Sequence, residues 1–371
     1  MFSKFLELSR VILKRQKRII IAVSHLHNND SVSNCVFSMF ANFQKSGYKT
    51  YILTDGIDAD VKIKNVEIIN NINNINKKDI VILHYGGMND FIRKILEKDF
   101  NFVVYYHNVT PAIFFKDYSE DFYNWLINDD IEFLKYKNKL KNIVCVSNYS
   151  RNKLLGLGFN NIAVIPILFD FSHFEKINED LYKKLRESNC RYLVFTGIVL
   201  PHKNQLELIK IFHLFLTKYS IPNIKLILIG KIIEQSKNYY NECLRYLEKY
   251  KLNDKVIFTD KISDYDRNSY YRCADIYVSA SLHEGFGIPL VEAVYFNIPI
   301  VSYIAGAISE TIDNCAKLIE VGACEKFADS IFEILNNEET RKKILEQYND
   351  ILKKYSPSKI FDDWQNYIKN I

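Results

Sequence analysis

The segment Ala274-Asp-Ile-Tyr-Val-Ser-Ala280, continuing to His283-Glu-Gly-Phe-Gly-Ile-Pro-Leu-Val-Glu-Ala293, constrains the chain most. An apolar β-like run leads into a Gly-x-Gly turn at Gly285 and Gly287, then Pro289 and an apolar stretch that reads as helix. Strand, glycine turn and helix start make an anion site, because the first helical N–H groups lack intrahelical partners and point outward. Pro289 suits a first helical turn, where no donor is missed. Two acids, Glu284 and Glu292, flank the turn with seven residues between them. Beside a bare phosphate they would repel. They make sense if the ligand also carries hydroxyl groups, as a sugar nucleotide does on both sides of its diphosphate.

The same alternation runs along the whole chain and predicts an α/β fold. Apolar runs at 18–24, 48–54, 79–84, 101–106, 142–146 and 162–166 read as strands. Helix-like stretches lie between most of them, including 33–46 and a long one over 120–140. This pattern means a parallel, doubly wound sheet. After a polar stretch at 170–190 the pattern restarts, with strands at 191–196, 224–229, 255–258, 274–280 and 299–302. Two Rossmann-like domains are therefore expected, with ligands at the carboxyl ends of the strands in the cleft between them. Pro357 breaks a preceding helix, and Phe361, Trp364 and Tyr367 recur at helical spacing in the one that follows.

Composition narrows the class. The chain has 371 residues, 48% hydrophobic and 25% charged, as a globular protein of two domains does. No apolar run approaches the roughly 20 residues of a membrane span, and the first ten residues lack a signal-peptide layout. Seven scattered cysteines without Cys-x-x-Cys pairs predict reduced thiols and a cytoplasmic location. Residues 1–18 hold six cations and one acid, which accounts for the whole net charge of +5. Interspersed with Phe2, Phe5, Leu6, Leu8, Val11, Ile12 and Leu13, they allow a basic amphipathic helix. Such a helix fits a peripheral place on an anionic membrane surface or packing on its own domain, and the sequence leaves both open. No basic stripe with interleaved aromatics suggests nucleic acid.

The segment 283–293 resembles the Glu-x7-Glu signature of retaining GT-B glycosyltransferases, in particular glycosyltransferase family 4. The likeness runs from about residue 190 to 312, through Tyr271-Arg-Cys-Ala-Asp-Ile-Tyr-Val-Ser-Ala280, Asn297-Ile-Pro-Ile-Val-Ser302 and Gly306-Ala-Ile-Ser-Glu310. It implies a GT-B fold of two facing Rossmann-like domains. An acceptor-side domain would take residues 1–170 plus a returning helix at 356–371, and a donor-binding domain residues 171–355. It also implies transfer of a sugar from a nucleoside diphosphate sugar to an acceptor hydroxyl, with retained configuration. The acceptor would be a glycan or lipid-linked glycan, as in surface polysaccharide or lipopolysaccharide assembly.

By that resemblance Glu292 binds the donor ribose, and Glu284 the hydroxyls of the transferred sugar. The backbone around Phe286, Gly287 and Leu290 holds sugar and diphosphate. Gly197-Ile-Val-Leu-Pro-His-Lys203 is similar to a Gly-Arg-x4-Lys stretch whose two cations clamp the diphosphate. Lys203 matches the lysine, but Ile198 stands where the arginine belongs, so either Lys203 and the helix N-terminus suffice or another cation such as Lys231 or Lys261 substitutes. Tyr105-Tyr-His-Asn-Val-Thr-Pro111 is similar to a His-Asn-x-Thr-Pro segment and makes His107 the histidine near the reacting carbon, with His84 a second strand-end candidate. A glycine pair common after the first strand is absent from Ser24–Ser31, so Asp30 and Asn34 are the acceptor-side candidates. Arg151 is a candidate for phosphate or acceptor, and Ser147 reads as a helix N-cap. No Asp-x-Asp or His/Asp cluster suggests a metal, and the family generally needs none. Two other readings remain: a GT-B enzyme acting on soluble sugars, and a non-catalytic sugar-nucleotide-binding subunit, for which Ile198 leaves room.

If the basic segment binds membrane, deleting residues 2–16 will release the protein from anionic liposomes in a flotation assay. Unchanged flotation would contradict that role.

Overall fold

The computed structural model describes residues 18–28, 30–59, 61, 66–69, 71–313 and 315–371. The basic amphipathic stretch before residue 18 lies outside the described residues. Arg18, its last cation, is not free for a membrane surface. Its Nε donates to Asp79 Oδ1 at 2.9 Å, and its guanidinium lies over the Tyr51 ring.

The first half contains strands Ile19–Ala22 (β1), His25–Leu26 (β2), Thr50–Leu53 (β3), Gly56–Ile57 (β4), Ile68–Ile69 (β5), Ile80–Tyr85 (β6), Asn101–Tyr106 (β7), Ile143–Cys145 (β8) and Ile162–Val164 (β9). The second contains Arg191–Thr196 (β10), Ile224–Ile229 (β11), Val256–Asp260 (β12), Ile276–Ser279 (β13), Ile300–Tyr303 (β14) and Lys317–Ile319 (β15). Seven strands form one sheet in the order β5-β3-β1-β6-β7-β8-β9, and six form another in the order β12-β11-β10-β13-β14-β15. Every strand pair in both sheets is parallel. β2 and β4 form a separate small pair, Leu26 opposite Ile57.

Each large sheet grows outward from its first strand in one direction and then reverses. The reversals lie between β1 and β6 and between β10 and β13. Connections on the two sides of a reversal leave for opposite faces and open a crevice at the strands' carboxyl ends. The strands flanking the reversals are fully buried apolar runs, Ile19 to Ala22 and Ile276 to Val278 among them, as parallel strands covered on both faces require.

Two sequence expectations shift at their ends. The helix expected over 120–140 ends at Lys135, where Tyr136 leaves helical geometry and Lys139 Nζ turns to the Leu96 carbonyl. Strand β15 follows a polar segment, and its three residues were too short a run to read as a strand.

The last helix, Pro357–Lys369, begins with proline at its start and buries Ile360, Phe361, Trp364 and Ile368. Trp364 meets Tyr105 of β7 edge-on at 4.9 Å, and Phe361 meets Phe43 at 5.0 Å. The C-terminal helix therefore packs on the half of the chain that holds the first sheet. Trp364 has no exposed surface. Trp364→Ala is expected to lower unfolding free energy by about 3–5 kcal/mol, as deletion of a buried large aromatic does, measured by urea denaturation. A loss under 1 kcal/mol would mean that this contact does not hold the helix in place.

Candidate functional site

The carboxyl ends of β10 and β13 meet at the second sheet's reversal, and their loops carry the paired charges. After β10 the chain runs through Gly197, whose N–H donates to Ile229 O at 2.8 Å, to a short 3-10 turn at Pro201–Lys203. After β13 it runs through Ser281 and Leu282, and the Leu282 N–H donates to His202 O at 2.8 Å. This backbone bond brings together Lys203, one residue on, and Glu284, two residues on. Lys203 Nζ lies 2.7 and 2.8 Å from the two carboxylate oxygens of Glu284. Both side chains are mostly buried. The ammonium has three donors, so one remains for a third partner.

Glycines fix the loop after Glu284. Gly306 has φ of 57°, and a Cβ there would fall 2.3 Å from Glu284 O. Ala307 N donates to that same oxygen at 2.9 Å. Gly285 sits against the other half of the molecule, where a Cβ would meet Asn108 Cβ at 2.7 Å and His107 O at 2.9 Å. Ser147 Oγ donates to Gly285 O at 2.7 Å. Glu310 accepts from the backbone of Asn148 at 2.7 Å and of Tyr149 at 3.1 Å, which places a carboxylate at the N-terminus of helix Asn148–Gly156. The two halves thus close on each other around residues 284–285.

Helix Ile288–Tyr295 starts from Gly287 in the left-handed region, with Pro289 in its first turn. One expected contact is corrected here. The Leu290 N–H donates to Gly287 O at 3.0 Å, closing a turn, and is not free for a ligand. The amides of Phe286 and Gly287 bond no backbone carbonyl among the described residues. The Phe286 side chain is buried against Tyr355, and its carbonyl accepts from Thr311 Oγ1 at 2.5 Å. Glu292 lies one helical turn further on and is 7% exposed. Its Oε2 accepts from Tyr271 Oη at 2.8 Å, and Arg267 Nη2 lies 3.9 Å from its Oε1. Arg267 Nε and Nη2 have no hydrogen-bond partner although buried.

In the first half, His84 is the penultimate residue of β6 and His107 follows β7. Their rings stack at 5.0 Å, with His107 Nε2 at 3.0 Å from His84 Nδ1. His107 Nδ1, His84 Nε2 and both polar atoms of the Asn108 amide are buried without partners. Whichever ring donates in the His–His bond, one donor and one acceptor are left over on the pair. Buried polar atoms are normally satisfied by protein, water or a ligand, so these atoms can accept a polar partner. Burial holds His107 at about 3, and burial together with His107 holds His84 well below the usual histidine range.

Lys203 bonds Glu284, and the adjoining Gly285 packs against His107. Burial and then Glu284 push the Tyr277 phenol up. Asp30, expected on the acceptor side, accepts from Ser33 N at 2.9 Å through Oδ2 and caps helix Ser31–Lys45. Asn34 is half-buried on the same helix. Arg151 donates weakly to Asn148 Oδ1 at 3.4 Å and keeps a buried, unpartnered Nε. Ser147 caps its helix, accepting from Ser150 N at 3.1 Å. Ile198 is 43% exposed. Lys231 and Lys261 are exposed as well. Tyr271, Arg267 and Glu310 were not foreseen as site residues. Tyr271 and Glu310 stand inside recognisable segments, but nothing in sequence tells a tyrosine or glutamate that braces a site from one that does not. Also unforeseen is a set of possible metal ligands, His25, His27 and Asp58, contrary to the expectation of no His/Asp cluster.

Residues 177–349 match the family model of glycosyl transferases group 1 and form such a domain. The capsular polysaccharide biosynthesis glycosyltransferase CapM of Staphylococcus aureus is 27% identical over 219 residues, 57% of this chain and 54% of that protein. The chain thus spans about half the length of this curated relative. Anabaena HepE, solved with UDP and glucose, superposes with a TM-score of 0.74 at 15% identity, covering 96% of this chain and 100% of that one. Sucrose-phosphate synthase from Thermosynechococcus elongatus superposes with a TM-score of 0.73 at 15% identity, covering 95% and 99%. The fold is GT-B.

The buried histidines set a pH dependence. His107 at about 3 and His283 at about 4 are depressed mainly by burial, and His84 and His202 lie well below the usual value. The unfolded chain takes up protons near pH 6.5 while the folded one does not, so stability is full above that pH and falls as pH drops toward the folded values. Unfolding free energy should decrease from pH 7 to pH 5, by up to about 1.4 kcal/mol per pH unit for each such histidine below 6.5. Urea titrations at both pH values check this, and equal stability would contradict it.

Proposed function

We propose that the chain is a retaining glycosyltransferase that moves a sugar from a nucleoside diphosphate sugar to an acceptor hydroxyl. The observation that carries this reading is the Lys203–Glu284 pair beside the free amides of Phe286 and Gly287 at the head of helix Ile288–Tyr295. A diphosphate leaving group gains charge as the glycosidic bond breaks. Donors fixed where that charge develops stabilise the transition state more than the ground state. The third donor of Lys203 and the two amides supply them here. Glu284, already oriented by Lys203, accepts from hydroxyls of the transferred sugar. Glu292, oriented by Tyr271, accepts from the ribose. The His84–His107 pair keeps a leftover donor and acceptor, and we assign His107 to the sugar beside the reacting carbon.

The carboxylates are binding groups in this account. Glu284 is tied to a lysine on both oxygens, a poor arrangement for a nucleophile. The reaction we infer proceeds on one face of the sugar, with the departing phosphate oxygen taking the acceptor's proton. No step calls for a metal. The likeness to a capsular polysaccharide enzyme supports a glycan or lipid-linked glycan acceptor, on the cytoplasmic face of a membrane. Among the described residues no helix is long and apolar enough to cross one. We assign residues 1–170 with 356–371 to the acceptor side and 171–355 to the donor side. One observation favours a second reading, a subunit that binds the donor without turning it over: an exposed isoleucine, Ile198, stands where a second cation is expected.

A panel of UDP-, GDP-, dTDP- and ADP-sugars, assayed for donor turnover, tests the proposal. One donor should be consumed, and Glu284→Ala should lower the rate by on the order of 100-fold or more. The product should keep the donor's anomeric configuration by proton NMR. Binding without turnover would favour the second reading, and an inverted product would overturn the retaining mechanism.

A further inference from the structure

A cluster outside the donor site joins two loops at the carboxyl edge of the first sheet. The loop after β1 carries His25 and His27, and the loop after β3 carries Asp58. His25 Nε2 lies 2.9 Å from Asp58 Oδ1, and His27 Nδ1 lies 3.1 Å from Asp58 Oδ2. The imidazoles stack at 4.4 Å. One ligand atom from each of the three residues lies within 4.8 Å of the others.

The backbone builds this arrangement. β2 pairs with β4, His25 opposite Gly56 and Leu26 opposite Ile57. Asp58 N then donates to Leu26 O at 2.9 Å, so the aspartate is anchored between the two histidines. His27 N donates to Ser33 Oγ at 2.9 Å, which ties the loop to the start of helix Ser31–Lys45. Gly56 leaves room for the first imidazole, since a Cβ there would lie 2.3 Å from His25 Nδ1. Side chains that merely shared a surface would need neither the glycine nor the anchoring amide.

We propose that His25, His27 and Asp58 bind a divalent transition-metal cation of the zinc class, with the remaining coordination positions held by water. Two imidazoles and one carboxylate suit such ions better than magnesium or calcium, which prefer all-oxygen sets. Ligands bound to tetrahedral zinc at about 2.0–2.1 Å stand roughly 3.4 Å apart. His25 Nε2 and His27 Nδ1 lie 2.9 and 3.1 Å from different oxygens of Asp58, and with one ligand atom per residue the set lies within 4.8 Å, so side-chain rotation brings the three atoms to that spacing. The carboxylate makes the cluster a poor seat for a phosphate. Three protein ligands with an open position form the type of site that keeps water or an exchangeable oxygen ligand on the metal. The bound ion would clamp the loop after β1 to the loop after β3. It would also place a positive charge at the carboxyl edge of the sheet that carries His84 and His107.

Untagged full-length protein, stripped with chelator and titrated with Zn2+ and with Co2+ alone, tests this without any nucleotide. One equivalent should bind, Co2+ should give the absorption of a four- or five-coordinate nitrogen and oxygen site, and Zn2+ should raise the melting temperature. H27A and D58N should each weaken binding by about tenfold or more, and the H25A/H27A pair should abolish the Co2+ spectrum. Melting of the stripped variants near the stripped wild-type temperature shows that they fold. Absence of stoichiometric binding, or binding unchanged in the double variant, overturns the proposal. Neither result bears on donor turnover, because the readout involves neither donor nor acceptor.

Discussion

The contact on which the rest of the site depends is the one between Lys203 and Glu284. The two residues are 81 positions apart, on loops that leave adjacent strands. They meet because β10 and β13 flank the point where the second sheet reverses direction. A mostly buried carboxylate without a partner is costly, and so is a mostly buried ammonium. The pair removes both penalties in the free protein and leaves one lysine donor and one face of the carboxylate for a ligand. On the proposed function, the pair therefore keeps an anion-binding group and a hydroxyl-binding group at fixed separation before any substrate arrives. That is preorganisation in the strict sense, since no dipole has to turn when charge develops.

The closure of the two halves follows from the same loop. Gly285 presses on His107 and Asn108 because it has no side chain, and its carbonyl accepts from Ser147. Glu310 adds a charged contact to the helix that Ser147 caps. The loop that carries Glu284 thus also meets the first half at His107 and Asn108. Ile198 bears on the same balance. With an apolar residue at that position, the clamp relies on one lysine and the helix start, a dipole contribution of roughly 0.3–1 kcal/mol and more where water is excluded.

Much of this was legible in the sequence, because parallel strands buried on both faces appear as continuous apolar runs and glycine turns announce helix starts. Gly285, Gly287 and Pro289 placed the turn and the start of the helix after it, and Glu284 and Glu292 fall on that turn and that helix. Other features depend on tertiary registration that no local pattern encodes. Asp30 reads as a polar loop residue, yet it caps the next helix through Ser33. Leu290 looked free by its place in the first turn, but the left-handed Gly287 turns its carbonyl to take that amide. Tyr271 and Arg267 reach Glu292 from a preceding helix, and His25 and His27 meet Asp58 through a two-residue strand pair too short to show in the sequence.

The claim that Lys203 is held ready for a diphosphate is tested most directly by isothermal titration. The nucleoside diphosphate that most raises the melting temperature would be titrated into wild-type protein and Lys203→Gln. The account predicts binding weakened by about tenfold or more, the equivalent of about 1.4 kcal/mol. Equal dissociation constants would show that Lys203 serves only to hold Glu284, and would contradict the account.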